Sequence, residues 1–204
     1  VMLQKFFFRK SKRKTGCKET KTIGIVSAGR HTGATHLTVC LANMLCSVRG
    51  ERVAVLEWNP HQDFARMEAA CTGKTGKTKP FCLLGVDYFK EAGSREWEQG
   101  MQPSYGYVIV DSGESNEEIL YECRRCQRRI LLGSLTEWQQ HAFVDQISEE
   151  KKWKRGFQFA ATFGSKETIE EARKKLRITL YQIPLSVDAF AVTWEDISAL
   201  DQLL

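Results

Sequence analysis

Residues 21–49 read KTIGIVS, AGRHTG and ATHLTVCLANMLCSVR, and the three pieces follow three different patterns. Lys21 to Ser27 is a short run rich in β-branched residues, the signature of a buried strand. Ala28 to Gly33 is a glycine-rich turn. From Thr35 to Arg49 the apolar residues Leu37, Leu41, Met44, Leu45 and Val48 recur at the spacing of one helix face, and Gly50 follows as a C-terminal cap. Strand, glycine-rich turn and helix form the context in which backbone N–H groups converge at a helix N-terminus and attract an anion.

The same alternation continues outward. Strands are predicted over 52–57, 107–111, 129–132, 157–163 and 178–183, with an edge strand over 81–89. Helices are predicted over 63–70, 117–128, 136–152, 166–175 and 194–204, and 93–104 reads as irregular or briefly helical. Apolar strands alternating with helices predict an α/β fold, a mostly parallel, doubly wound sheet with helices on both faces. In such sheets ligands bind at the carboxyl ends of the strands. The 204 residues divide into a basic N-terminal tail or linker, 1–21, and one domain, 22–204, a length that needs no metal or disulfide to fold. No stretch approaches the roughly 18 apolar residues of a membrane span, and the apolar start VMLQKFFF is too short for a secretory signal.

The net charge of +5 is unevenly spread. Residues 1–21 hold eight bases and one acid; the rest holds 22 bases against 24 acids. A basic tail suits anionic lipid or nucleic acid, or a solvated linker. Phe6, Phe7 and Phe8 beside the bases favour contact with a membrane surface. The slightly acidic domain disfavours DNA.

Seven cysteines form no framework spacing, and several sit among apolar residues, which points to reduced, buried side chains in a cytoplasmic protein. Cys123-Arg-Arg-Cys126 is a lone CxxC in a predicted helix, without the second pair a zinc site needs. The loop Gly73-Lys74-Thr75-Gly76-Lys77-Thr78 contains GKT twice, but no strong strand precedes it and the upstream glycine is missing, so it reads as a solvated loop. The four histidines lack metal-ligand spacing, and no metal site is expected.

The P-loop pattern is G-x-x-x-x-G-K-[ST]. Here the loop reads Ala28-Gly29-Arg30-His31-Thr32-Gly33-Ala34-Thr35-His36, with Gly33 and Thr35 where the last glycine and the Mg²⁺-binding hydroxyl belong. Three matches follow in chain order: Leu56-Glu57-Trp58-Asn59-Pro60-His61-Gln62, Tyr105-Gly-Tyr-Val-Ile-Val-Asp111, and Ile183-Pro184. Together they resemble the MinD/ParA family of deviant P-loop ATPases over residues 22–204. The resemblance implies a P-loop NTPase fold of MinD/ParA type and a nucleotide site at Gly29, Arg30, His31, Thr32, Gly33, Ala34, Thr35 and His36. It implies Thr35 and Asp111 on the Mg²⁺ side and switch positions at Glu57 and Asn59. ATP or ADP with Mg²⁺ is the cofactor so implied, bound weakly or not at all.

The departures bear on activity. The family's two phosphate-binding lysines map to Gly29 and Ala34, and its strand-two aspartate maps to Asn59. Phosphoryl transfer depends on positioning and charge neutralisation, so hydrolysis is expected to be absent or very slow, with no catalytic residue assigned. Thr35-His36 and Glu57-x-Asn59 resemble degenerate TadZ/CpaE-like members, cytoplasmic partners of pilus and secretion machinery. That implies a pseudo-ATPase, a homodimer built around the loop, marking the position of a pilus or secretion assembly at the inner face of the membrane. An ATP-driven switch in positioning or partitioning is the alternative.

Overall fold

The computed structural model describes residues 19–73, 80–102, 104–153 and 156–204. In chain order the elements are β1 (Lys21–Ser27), α1 (Ala34–Ser47), β2 (Val53–Glu57), α2 (Asp63–Thr72), β3 (Phe81–Leu83), β4 (Val86–Phe89), α3 (Ser94–Gly100), β5 (Tyr107–Glu114) and α4 (Glu117–Glu122). A 3-10 turn (Cys123–Arg125) follows, then β6 (Arg128–Gly133), α5 (Gln140–Trp153), β7 (Gln158–Ala161), α6 (Lys166–Leu176), β8 (Leu180–Gln182) and α7 (Trp194–Asp201). The eight strands form one sheet in the order β3-β4-β2-β5-β1-β6-β7-β8. Only the β3–β4 pair is antiparallel.

The strands are buried on both faces, and their residues alternate between two layers. Ile23, Ile25, Val53, Val55, Ile109, Ile130 and Leu132 face the layer of α1, α2 and α7, where Leu37, Leu41, Leu45, Phe64 and Leu200 meet them. Val26 and Leu131 face Leu120, Phe143, Ile147 and Ile169 of α4, α5 and α6. Ala54, Leu56, Val108 and Val110 face Trp97 of α3. The doubly wound sheet expected from the alternation of apolar runs is the one observed.

Three local expectations needed correction. The edge strand expected over 81–89 is a hairpin: Leu84 (φ 50°) and Gly85 (φ 86°) are both left-handed, the geometry of a two-residue hairpin turn. Its apolar sequence conceals the turn, which only Gly85 signals. The helix expected over 117–128 stops at Glu122, and Arg128 already pairs in β6. The chain turns there because Cys123 and Cys126 both pack inward, with their sulfurs 3.4 and 3.1 Å from where a Cβ on Gly24 would sit. A side chain on Gly24 would displace them. The CxxC lies in this turn rather than in the expected helix. The predicted strand over 157–163 is shorter, because Thr162 and Phe163 leave the sheet to hold loops: the Thr162 N–H donates to Gly133 O and Leu135 N–H to Phe163 O.

Burial of the thiols is likewise mixed. Cys40, Cys123 and Cys126 are buried, whereas Cys71 and Cys82 are exposed. Burial pushes the Cys123 thiol up to about 11 and the Cys40 thiol up to about 12, the response of a desolvated thiol. Residues 1–18 of the basic tail and residues 74–79 of the GKTGKT loop lie outside the described residues.

Candidate functional site

The carboxyl ends of β1, β2 and β5 meet the N-termini of α1 and α2 around a cleft of about 630 Å³. Its floor is the loop between β1 and α1. Gly33 precedes α1 with φ 87°, and no side chain caps the helix, so its first N–H groups face the cleft. His31 is also left-handed, at φ 58°. The glycine turn of the sequence therefore delivers the helix N-terminus that its pattern promised.

The loop is held from several sides. Ser27 Oγ lies 2.6 Å from Thr32 Oγ1, accepts from the Gly29 N–H at 3.2 Å and donates to the Gly29 carbonyl. Thr162 Oγ1 donates to Thr32 O at 2.7 Å, and Gln139 Nε2 donates to Arg30 O at 2.8 Å. These partners come from the residue that follows β7 and from the turn before α5. No local pattern in the sequence signals them, because they depend on strand order.

Thr35 and Asp111 meet at the cleft. Thr35 Oγ1 donates to Asp111 Oδ2 at 2.7 Å. Asp111 is 1% exposed, and burial raises its carboxyl to about 6 against the opposing hydrogen bond from Thr35. Asp63, which the sequence reading passed over, stands 3.5 Å from Thr35 Oγ1. An acid in the first turn of the helix after strand two is the signal that marked it.

The two switch positions are occupied with structural work. Glu57 is fully buried; its Oε1 accepts from the Phe64 N–H at 3.1 Å, in the first turn of α2, while Oε2 has no partner among the described residues. Desolvation raises its carboxyl. Asn59 uses both ends of its amide on backbone: Nδ2 donates to Asp111 O at 3.0 Å and Oδ1 accepts from the His61 N–H at 3.0 Å. Gly113 (φ 68°) must be glycine here, since a Cβ would stand 2.8 Å from Asn59 Cβ. Neither Glu57 nor Asn59 lines the cleft, whereas the neighbouring Pro60 and His61 do.

The cleft's cations are indirect. Ala34 and Gly29 line it at the two positions that correspond to the family's lysines. Arg30 pairs with Glu114 at 3.1 Å and Arg66 with Asp63 at 2.8 Å, both on exposed side chains. Three of the chain's four histidines, His31, His36 and His61, also line it. His36 Nε2 is buried and has no partner among the described residues. The residues thus fit a magnesium-bound phosphate on the metal side, through Thr35, Asp111 and the open helix N-terminus. On the phosphate side no committed cation stands at either lysine position.

No family model matches the chain, and no curated protein matches its sequence. Solved structures do match its shape. A plasmid partition protein from Borrelia burgdorferi B31, bound to AMPPNP, aligns with a TM-score of 0.68 at 14% identity, covering 91% of this chain and 97% of that one. The septum site-determining protein MinD from Pyrococcus horikoshii, complexed with Mg-ADP, aligns at 0.64 and 15% identity over 90% and 94%. Cyanothece McdA without nucleotide aligns at 0.58 and 14% identity over 91% of each chain. At such identities the likeness is one of architecture, and the chain has the fold of the ParA/MinD-type P-loop ATPases.

Proposed function

We propose that the chain is a pseudo-ATPase of MinD/ParA type, non-hydrolysing or very weakly active, that serves as a localisation or scaffold factor for a pilus or secretion assembly. The observation that carries this reading is the pairing of an intact loop with an emptied charge pattern. The loop, the helix N-terminus and the Thr35–Asp111 contact are in place, while Gly29 and Ala34 replace both lysines. Charge neutralisation supplies much of the barrier lowering in phosphoryl transfer. Asn59 directs both ends of its amide to backbone and, being uncharged, lacks the carboxylate that would orient and polarise an attacking water.

The Mg²⁺-side groups favour retained, weak binding of ATP or ADP with Mg²⁺. Mg²⁺ would supply charge neutralisation between phosphate oxygens, and this chain would contribute the Thr35 hydroxyl, the Asp111 carboxylate and backbone N–H groups. The same pair favours the alternative reading, a weak ATP-dependent switch in positioning. A homodimer joined across the loop face, with the TadZ/CpaE-like role at the cytoplasmic side of the membrane, completes the proposal. Among the described residues no helix is long and apolar enough to cross a membrane.

The test is titration calorimetry of the full chain with Mg²⁺-ATP and Mg²⁺-ADP, beside light scattering and a turnover assay. Saturable binding or a constant dimer mass, without turnover above a vector control, supports the pseudo-ATPase. Turnover that disappears in Asp111→Ala selects the switch. For the cellular role, a fluorescent fusion should form foci that coincide with the pilus or secretion machinery, and a diffuse signal would remove that role.

A further inference from the structure

The domain's net charge of slightly below zero conceals a segregation that the topology creates. Strands β1, β6, β7 and β8 run parallel, so their first residues share the edge opposite the loop cleft. The connections return to that edge and end in bases. Residues 122–129 hold four bases and one acid and 170–177 four bases and two acids, and Lys151 and Lys152 stand in the last turn of α5. Lys21 opens β1 at the same edge, where the basic tail enters: Glu19 Oε1 accepts from Gln127 Nε2 at 3.4 Å.

Helix dipoles account for part of this pattern, since bases in a last turn offset the C-terminal partial charge. Lys151 and Lys152 of α5 and Arg173, Lys174 and Lys175 of α6 are so placed. Some bases also have local partners: Arg125 pairs with Glu122 at 3.1 Å, Arg173 pairs with Glu170, and Lys151 Nζ donates to Leu176 O at 2.5 Å. The dipole gives no reason for Lys21, Arg128 and Arg129, which begin strands. These three line a cleft of about 460 Å³ with Gln127 and Gln158. In it Arg129 Nε and Gln158 Oε1 are buried without hydrogen-bond partners among the described residues. A buried unpaired guanidinium N–H is costly. A phosphate oxygen would satisfy it, and a headgroup hydroxyl would satisfy the amide oxygen.

We propose that this edge of the domain docks on a bilayer of anionic phospholipid, its cleft taking a phosphate headgroup. The inference rests on the reading of the basic tail as a membrane contact and adds to it a folded surface that fixes orientation. Aromatics interleave with the bases, the pattern of an interfacial surface. Tyr121 is 64% exposed, with the Arg124 guanidinium 5.4 Å from its ring centroid. In the sequence Phe6 to Phe8 stand among the bases of the tail. Docked in this way, the protein turns its loop cleft away from the lipid, toward partners.

The experiment is co-sedimentation of the full chain, without nucleotide, with vesicles of phosphatidylcholine alone or mixed with phosphatidylglycerol. The wild type should bind only the anionic vesicles and release them in high salt. Arg128, Lys174 and Lys175 are exposed, so R128E/K174E/K175E should still fold, its melting temperature lowered by a few degrees through the lost offset to the α6 dipole, and bind roughly tenfold more weakly or worse. R128K, which keeps the charge, should bind like wild type, and R129Q should weaken binding to the anionic vesicles. Wild-type binding by the charge-reversed chain overturns the proposal, as does preference for duplex DNA over vesicles at the same ionic strength. The variant F6S/F7S/F8S separates the two readings. If it alone loses binding, the tail acts without the edge and the proposal falls. If it binds while the charge-reversed chain does not, the edge stands without the tail. Because nucleotide is absent throughout, the pseudo-ATPase reading is untouched by either result.

Discussion

Thr35 Oγ1 and Asp111 Oδ2 are 2.7 Å apart, and this one contact joins the first turn of α1 to the carboxyl end of β5. Hydroxyl and carboxylate stand together at the only place in the cleft where an acid is nearly sealed from solvent among the lining residues described. Around them Asp63 and Glu57 add like charge. The contact is therefore a compromise: it brings a hydroxyl and a carboxylate together at the cleft at a cost to the folded state.

That cost has a pH signature. Burial pushes the Asp111 carboxyl from its ordinary 3.8 up to about 6 in the folded protein. Below 3.8 both states are protonated and no penalty exists. Between 3.8 and 6 the folded protein holds a proton the unfolded chain has lost, so stability falls as pH rises. Above this window the penalty is constant, at roughly 3 kcal/mol from the shift alone. Asp111→Asn should remove it. Thermal melts from pH 4 to 8 should show the variant more stable than wild type at neutral pH and nearly equal at the acid end. Equal melting temperatures at neutral pH would mean that Asp111 is not desolvated.

Returning a lysine to position 34 tests the emptied charge pattern. Ala34 is the first residue of α1 and lines the cleft, so a lysine there reaches the anion-attracting N–H groups. Ala34→Lys should raise affinity for Mg²⁺-ATP about tenfold or more, since a charge-assisted contact is worth about 1.5–3 kcal/mol. Turnover should stay near background, because Asn59 is still tied to the Asp111 and His61 backbone. Calorimetry and phosphate release on the same sample would check both halves. Rapid turnover in the single variant would show that charge alone had been limiting.

The sequence made the central layer legible because each strand states its burial twice, in β-branched composition and in apolar continuity. Ile23, Ile25, Ile109 and Ile130 are essentially sealed from solvent. The loop and the Thr35–Asp111 pair were legible because they depend on positions close to strand ends. What escaped depends on contacts distant in sequence. Thr162 clasping the loop, Gln139 holding Arg30 and the basic edge all follow from strand order, which no local pattern encodes. The hairpin at Leu84–Gly85 escaped because both its strands are apolar and only three or four residues long.

Gly133 offers a test of the packing beside the site. A Cβ there would lie 2.1 Å from Cγ of Phe143, whose ring is 1% exposed. Neither the ring nor the strand has room to yield, so Gly133→Ala should cost about 3 kcal/mol, at the upper end of overpacking penalties. Phe143→Ala removes Cγ and both Cδ atoms, the atoms at the point of collision. Urea titrations should therefore show the double variant G133A/F143A losing less stability than the sum of the two single losses, with a coupling of about 1 kcal/mol or more. Additive losses would place the strain elsewhere.

The cysteines can be sorted by the same burial that sets their titration. Cys71 and Cys82 are exposed, and Cys46 is half-buried against the Leu84 carbonyl at 3.7 Å. Cys40, Cys123 and Cys126 are buried, with thiols raised by desolvation. Because the thiolate is the nucleophile, a raised and enclosed thiol reacts slowly. Brief alkylation of the native protein at pH 8, followed by peptide mass spectrometry, should label exposed Cys71 before Cys82, whose thiol is raised by desolvation and by Asp87, and both before the buried thiols. Cys40, Cys123 and Cys126 should remain unmodified until denaturant is added. Early labelling of Cys123 or Cys126 would require that the 3-10 turn open in the native state. That would also expose Gly24, because the two sulfurs fill the space beside its Cα. Their inertness and the integrity of β1 are thus one property, and a protection experiment at either thiol reads the stability of the strand that carries the loop.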